Sequence, residues 1–177
     1  MTAALDLPPS TLARLRRRTH WSLAAGVALG STGHIAASTV ASIAAQHIAG
    51  STAWSGAPGA TVVLGAAAGA VTLSQLMVRV GRRTGLALGY GIGVVGALVS
   101  TVAVVGGSLG LLLAGTVLIG FGNASNQLSR YVAADLFPSE RRASAIGIVV
   151  WGATVGAVVG PNLAAPAGSL AGAIGLP

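Results

Sequence analysis

The sequence contains no cysteine and no lysine, and only three of its 177 residues, Asp6, Asp135 and Glu140, carry a carboxylate. Without cysteine there is no disulfide, no thiolate nucleophile and no cysteine metal site. The three histidines, His20, His34 and His47, are too far apart along the chain to share a metal. No G-x-S-x-G nucleophile elbow, Walker loop or H-E-x-x-H zinc helix occurs. The residues therefore point to no enzyme, no metal and no cofactor. Charged residues make up 7% of the chain, too few to cover a water-facing surface, which excludes an ordinary soluble domain.

What the chain does have is apolar sequence, 53% hydrophobic residues, and ten arginines gathered into Arg14 to Arg18, Arg79 to Arg83 and Arg130 to Arg142. The uncharged tracts between clusters are each roughly twice the about 20 residues that one bilayer-spanning helix needs. Each reads as a helix going out and a helix returning. The fold class is an all-α integral membrane protein, a bundle of five transmembrane helices plus part of a sixth. The expected spans are 21–45, 59–78, 84–105, 109–128 and 143–159, with a basic leader over 1–20 and a stub over 164–177. Short basic loops are retained in the cytoplasm, so all three clusters and the amino terminus face inward and the protein is a multi-pass component of the plasma (inner) membrane. The bilayer, with its anionic headgroups, is then the partner of the arginines. Nucleic acid is not, because the charge lies in hairpin loops and not in a stripe on a soluble fold. Trp21 to Ala45 is too long for a signal-peptide core and is read as an uncleaved first helix. Arginine without lysine, beside heavy Ala, Gly and Val use, points to a bacterial source.

Polar residues inside the spans are the candidates for function. His34 falls near the middle of the first helix, where an ionisable side chain either bonds a neighbouring helix or faces a cavity. Asn123, Asn126 and Gln127 share one face of the fourth helix, and lipid cannot satisfy their amides, so they point inward as helix glue or as the lining of a path. Thr116, about two turns outward, is expected to continue that face. Gln75 and Ser74 on the second helix, and Trp151 and Thr154 on the fifth, are further candidates. Glycines recur at four-residue spacing: Gly65 and Gly69; Gly85, Gly89 and Gly93; Gly152, Gly156 and Gly160. Such faces pack helices closely. Gly91, Gly93 and Gly96 also match G-x-G-x-x-G, but inside an apolar span and with no acid about 20 residues on the pattern is no dinucleotide site.

Leu76-Met77-Val78-Arg79-Val80-Gly81-Arg82-Arg83, in the inner loop after the second helix, resembles the L-A-D-R-x-G-R-R signature of the major facilitator superfamily. Gly120-Phe121-Gly122 looks like the G-x-G of that family's helix four. Gly152, Gly156, Gly160 and Pro161 are similar to the glycine-proline motif of helix five, common in its exporters. Asp135 to Arg142 looks like the inner loop before that helix. The resemblance implies the amino-terminal half of a twelve-helix transporter, ending within helix six, with the carboxy-terminal half as its missing partner. It implies secondary transport of a small-molecule substrate, as a permease, by alternating access between two halves, on helices one, two, four and five, with the exporter-like helix-five motif as the pointer to efflux and the direction left open. Val78 replaces the acid of the first motif, and Thr116 stands where an arginine is often tied to proton coupling, so the residues of proton antiport are not present. A rival reading is a non-transporting assembly module, or the product of a decayed gene, whose glycine faces bind a partner.

Overall fold

The computed structural model describes the backbone of residues 9–173 and the side chains of residues 10–160 and 162. Residues 1–8 of the expected leader, including Asp6, and 174–177 of the expected stub lie outside the described residues. Five helices follow one another: α1 (Pro9–Ala49), α2 (Ala57–Val80), α3 (Arg82–Val105), α4 (Leu109–Ala134) and α5 (Arg142–Ala173). All five are long and apolar enough to cross a membrane, and no strand occurs among the described residues.

Local chemistry sets the breaks. Pro58 occupies the first turn of α2, where its missing N–H costs nothing. The Ser108 hydroxyl accepts from the Leu111 N–H at 3.4 Å and caps α4. Gly81 alone joins α2 to α3, with φ +89°, a conformation that a side chain would strain. Three boundaries differ from expectation: α4 runs to Ala134, six residues past its expected end at 128, and takes Arg130 into the helix. The basic run is not a separate leader: α1 is helical from Pro9 for 41 residues, about 60 Å at about 1.5 Å per residue and twice the about 30 Å hydrocarbon core. Arginine is a good helix former, and nothing between Ser10 and His20 breaks the helix. The expected end at Gly160-Pro161 is likewise absent, because α5 continues through the proline to Ala173, so 164–173 extend the fifth helix instead of starting a sixth. A membrane helix tolerates proline, and one residue on, the Asn162 side chain donates to the Val158 carbonyl at 2.7 Å.

The helices meet at glycine, in three registers. Along α1 and α5 a Cβ on Gly152 would lie 2.7 Å from the Ala24 carbonyl oxygen, one on Gly156 would strike the Ala28 carbonyl, and one on Gly160 would lie 2.8 Å from that of Thr32. Successive glycines thus meet successive turns, and the two helices run parallel. Gly65 and Gly69 of α2 pair with Val117 and Phe121 of α4 in the same sense. Gly89, Gly93 and Gly96 of α3 run against Ser125, Gly122 and Gly115 of α4, so that pair is antiparallel. Gly93 and Gly96 therefore serve backbone contact, which is what the rejected dinucleotide pattern is for. In α4, 44% of the most hydrophobic 18 residues are buried, against 17% to 28% in the other helices, which makes it the central strut. The outer face of α3 shows Val94, Leu98, Val102 and Val105, all at least 60% exposed, as a stripe suited to lipid and not to water.

Gly156→Leu is expected to lower the thermal midpoint of the purified chain by about 2–12 °C, from about 1–3 kcal/mol of overpacking at about 2–4 °C per kcal/mol. Gly26→Leu, whose Cβ would have nothing within 4 Å, serves as the control. Equal midpoints for the two variants, read by thermal scanning in detergent, would contradict the α1–α5 seam.

Candidate functional site: two cavities beside the α1–α4 contact

The contact between α1 and α4 is polar at its centre. The Asn126 amide nitrogen donates to the Ser31 hydroxyl at 2.8 Å, and its oxygen accepts from the Tyr90 hydroxyl of α3 at 3.0 Å. The Tyr90 oxygen also lies 3.3 Å from the Ser129 hydroxyl, so one bonded chain ties three helices. Gly30 makes room for it, since a Cβ there would sit 2.9 Å from the Asn126 oxygen. In lipid, one such interhelical bond contributes about 0.6 kcal/mol on average and at most about 1.7.

A cavity opens on each side of this chain. The first, about 150 Å³, lies between α1, α4 and α5 and is lined by Ser31, Asn123, Asn126, Gln127 and Arg130 over an apolar wall of Val27, Val149, Val150 and Ala153. The second, about 210 Å³, lies between α1, α3 and α4 and is lined mainly by Gly30, Gly33, Ala37, Val94, Ala97 and Ile119, with His34, Tyr90 and Asn123 as its polar groups. Either volume is far above the about 10–15 Å³ that one water requires. Asn123 borders both. The His34 Nδ1 is buried without a hydrogen-bond partner. Among the described residues no group of His, Asp and Glu is placed to hold a metal ion.

The structure brings His34, Asn123, Asn126 and Gln127 together around this contact, but not the other candidates. Thr116 is fully buried on a different face, 2.7 Å from the Thr61 hydroxyl of α2 and bonded to the Leu113 carbonyl at 2.8 Å, so it glues α4 to α2. The expectation that it continues the Asn123 face fails because α4 is enclosed on several sides, and seven residues of drift suffice to change the neighbour. Gln75 is exposed on α2. Trp151 is 73% exposed, and the Thr154 hydroxyl bonds its own helix at the Val150 carbonyl, 3.2 Å away. Ser31, Tyr90, Ser129 and Arg130 join the group around the α1–α4 contact, although no motif marks them in the sequence. Ser31, three residues before His34 on the same helix face, was the available signal. Of the inner-loop residues, Arg82 forms an ion pair with Asp135 at the end of α4, while Arg79 and Arg83 are exposed and Gly81 makes the turn. Gly152, Gly156 and Gly160 form the α5 seam, and the backbone of Pro161 lies within α5.

Comparison with known proteins agrees with this architecture. The family model described as Major Facilitator Superfamily matches residues 21–175. The chain belongs to that superfamily. It is 36% identical over 169 residues, 96% of its own length, to the "Uncharacterized MFS-type transporter YdeG" of Bacillus subtilis (strain 168). It is 38% identical over 148 residues, 84% of its length, to the "Uncharacterized MFS-type transporter YddS" of the same organism. The chain spans only 39% and 34% of those two proteins. No solved structure matches it significantly. As a major facilitator chain it belongs to a family of transporters and not of enzymes, and it is a multi-pass membrane protein.

The chain has no native cysteine, so single replacements can be labelled cleanly. Cysteine at position 123 is expected to react with a small aqueous thiol reagent, and cysteine at position 124, where Ala124 is 2% exposed against α2, to resist it. The reverse order would show that the Asn123 face is turned away from water.

Proposed function

We propose that this chain is the amino-terminal part of a secondary transporter that moves a small solute across the plasma membrane by alternating access. The observation that carries the reading is the cavity of about 150 Å³ that Asn123, Gln127 and Arg130 line beside the bonded Ser31–Asn126 pair. Polar groups there are costly unless they serve a path or a partner, and here they line one. The amides present both donors and acceptors, so they can replace part of a solute's hydration shell as it leaves water. Arg130, at the same cavity, adds the one positive charge of its lining. In this reading the solute lies near the midplane between this unit and a second one, and rocking of the two opens the site to either side in turn. Export is the direction favoured by the glycine-proline pattern of α5, and all arginine clusters lie on the cytoplasmic side.

In the complete transporter, Asn123→Leu is expected to reduce solute flux by about tenfold or more, about 1.4 kcal/mol of lost transition-state interaction, while leaving membrane expression within a factor of about two of the parent. Flux is measured in inside-out vesicles after the solute is identified by screening. Unchanged flux at normal expression would remove the cavity from the path. An externally active reporter fused at Ser55 should be active, and one at Gly81 silent. The opposite pattern would overturn the orientation.

A further inference from the structure

The glycine repeat that joins α1 to α5 does not by itself fix how far one helix is advanced along the other. Gly152, Gly156 and Gly160 face the carbonyls of Ala24, Ala28 and Thr32, so both helices repeat at four residues along the seam. Moving α5 by one turn, about 5.4 Å, towards the inner loops puts Gly156 opposite Ala24 and Gly160 opposite Ala28. Both close approaches are kept. The opposite move sets Ile148 against the Ala24 carbonyl, where even a Cβ on Gly152 would lie at 2.7 Å, and overpacking closes that direction.

The two remaining registers differ at the inner end of the seam. His20, one turn before Ala24, is only 5% exposed. Helical side chains lean towards the amino terminus of their own helix, and the His20 ring reaches the first turn of α5, where Nε2 lies 3.0 Å from the Ala145 carbonyl oxygen. Phe137, in the loop before α5, meets the ring edge-on at 5.1 Å. The ring has this seat because residue 145 is a buried alanine. In the advanced register Val149 takes the place of Ala145, its branched side chain crowds the ring, and Phe137 is carried away with its loop.

We propose that His20 is a latch that selects one of two α1–α5 registers, and that α5 advances by one turn towards the inner loops when the ring is withdrawn. A one-turn ratchet of one element past another is a recognised mode of switching. The latch is buried between α1, α5 and the loop that joins α4 to α5, so it does not depend on what covers the outer faces of the bundle. The advance also changes the wall of the first cavity, where Ala153, Thr154 and Ala157 take the places of Val149, Val150 and Ala153 and add a hydroxyl to an apolar surface. That consequence rests on the transport reading, whereas the latch does not.

Double electron-electron resonance between nitroxides on Val40→Cys and Ser144→Cys tests the latch in a chain that has no other cysteine. Both positions are exposed, one in the outer half of α1 and one in the first turn of α5. The parent chain is expected to give one distance, and His20→Ala a second one longer by about 5.4 Å. Val149→Ala, which makes room for the ring in the advanced register, should give the longer distance with His20 in place. His20→Gln, which keeps a donor and most of the bulk, should give the parent distance alone. Labels at positions 19 and 40, both on α1, should not move in any variant. Circular dichroism identifies a variant that fails to fold, and the other of His20→Ala and Val149→Ala then decides. An unchanged distance in either folded variant, even with a lowered thermal midpoint, would reduce His20 to packing and overturn the proposal. The longer distance in the parent or in His20→Gln overturns it as well.

Discussion

Lipid tails are as apolar as the side chains of a membrane helix, so burying a leucine between two helices gains little over leaving it in the bilayer. The helices of this chain are held together by what lipid cannot offer, which is close backbone contact at glycine and a small number of polar bonds. Every other feature depends on that constraint. Because α4 carries glycines on more than one side, with Gly115 and Gly122 towards α3 and Gly120 towards α2, it can be approached from two directions at once. A leucine-rich helix of the same length would hold its neighbours further off and leave the polar groups without partners.

The same constraint places the cavities. The glycine seams draw α2 and α3 against α4, and α5 against α1, while α1 and α4 meet through the Ser31–Asn126–Tyr90 chain. Larger side chains such as Asn123, Gln127 and His34 occupy the margins of this polar contact, where the helices stand further apart. Cavities of about 150 and 210 Å³ follow on either side. The end of the bundle that carries the basic inner-loop motif is pinned by different chemistry. The buried His20 ring bonds the Ala145 carbonyl at 3.0 Å and meets Phe137 edge-on at 5.1 Å, and Arg82 pairs with Asp135. Three helix ends and one loop are thereby tied at one face, while the connections Thr52–Trp54 and Gly106–Ser108 at the other hold little more than their own turns.

The number of long apolar helices was legible from arginine spacing, because charge is excluded from the hydrocarbon and each uncharged tract is long enough for two crossings. The helix ends were not, since Arg14 to Arg18 lie within α1 and Arg130 within α4. The glycine rows Gly65 to Gly69, Gly85 to Gly93 and Gly152 to Gly160 were legible as seams, since only packing explains small residues at that period. Their partners were not. Period tells which residues of one helix share a face, and it is silent on which helix that face meets. Period alone therefore puts Thr116 with Asn123 although its partner is Thr61, and it gives no sign of Tyr90 as the third member of the Asn126 chain. Proline misled at position 161, because the rule that it ends a helix is drawn from soluble proteins and weakens where the backbone has no water to turn to. The pairing of Arg82 with Asp135 needed the fold, since the two residues are far apart in sequence, one opening α3 and the other closing α4, and each has other charges nearby in the chain.

Central to the account is that α4 is the strut against which α2 packs in parallel register. Thr61 and Thr116 touch through their hydroxyls at 2.7 Å, so cysteines at those two positions would face each other across the α2–α4 seam. In a chain with no other cysteine, Thr61→Cys with Thr116→Cys should cross-link nearly completely under mild oxidation in membranes, and Thr61→Cys with Ala114→Cys, whose second site is exposed on another face, should not. Failure of the first pair to link, or linking of both pairs alike, would contradict the register on which the rest of the structure rests.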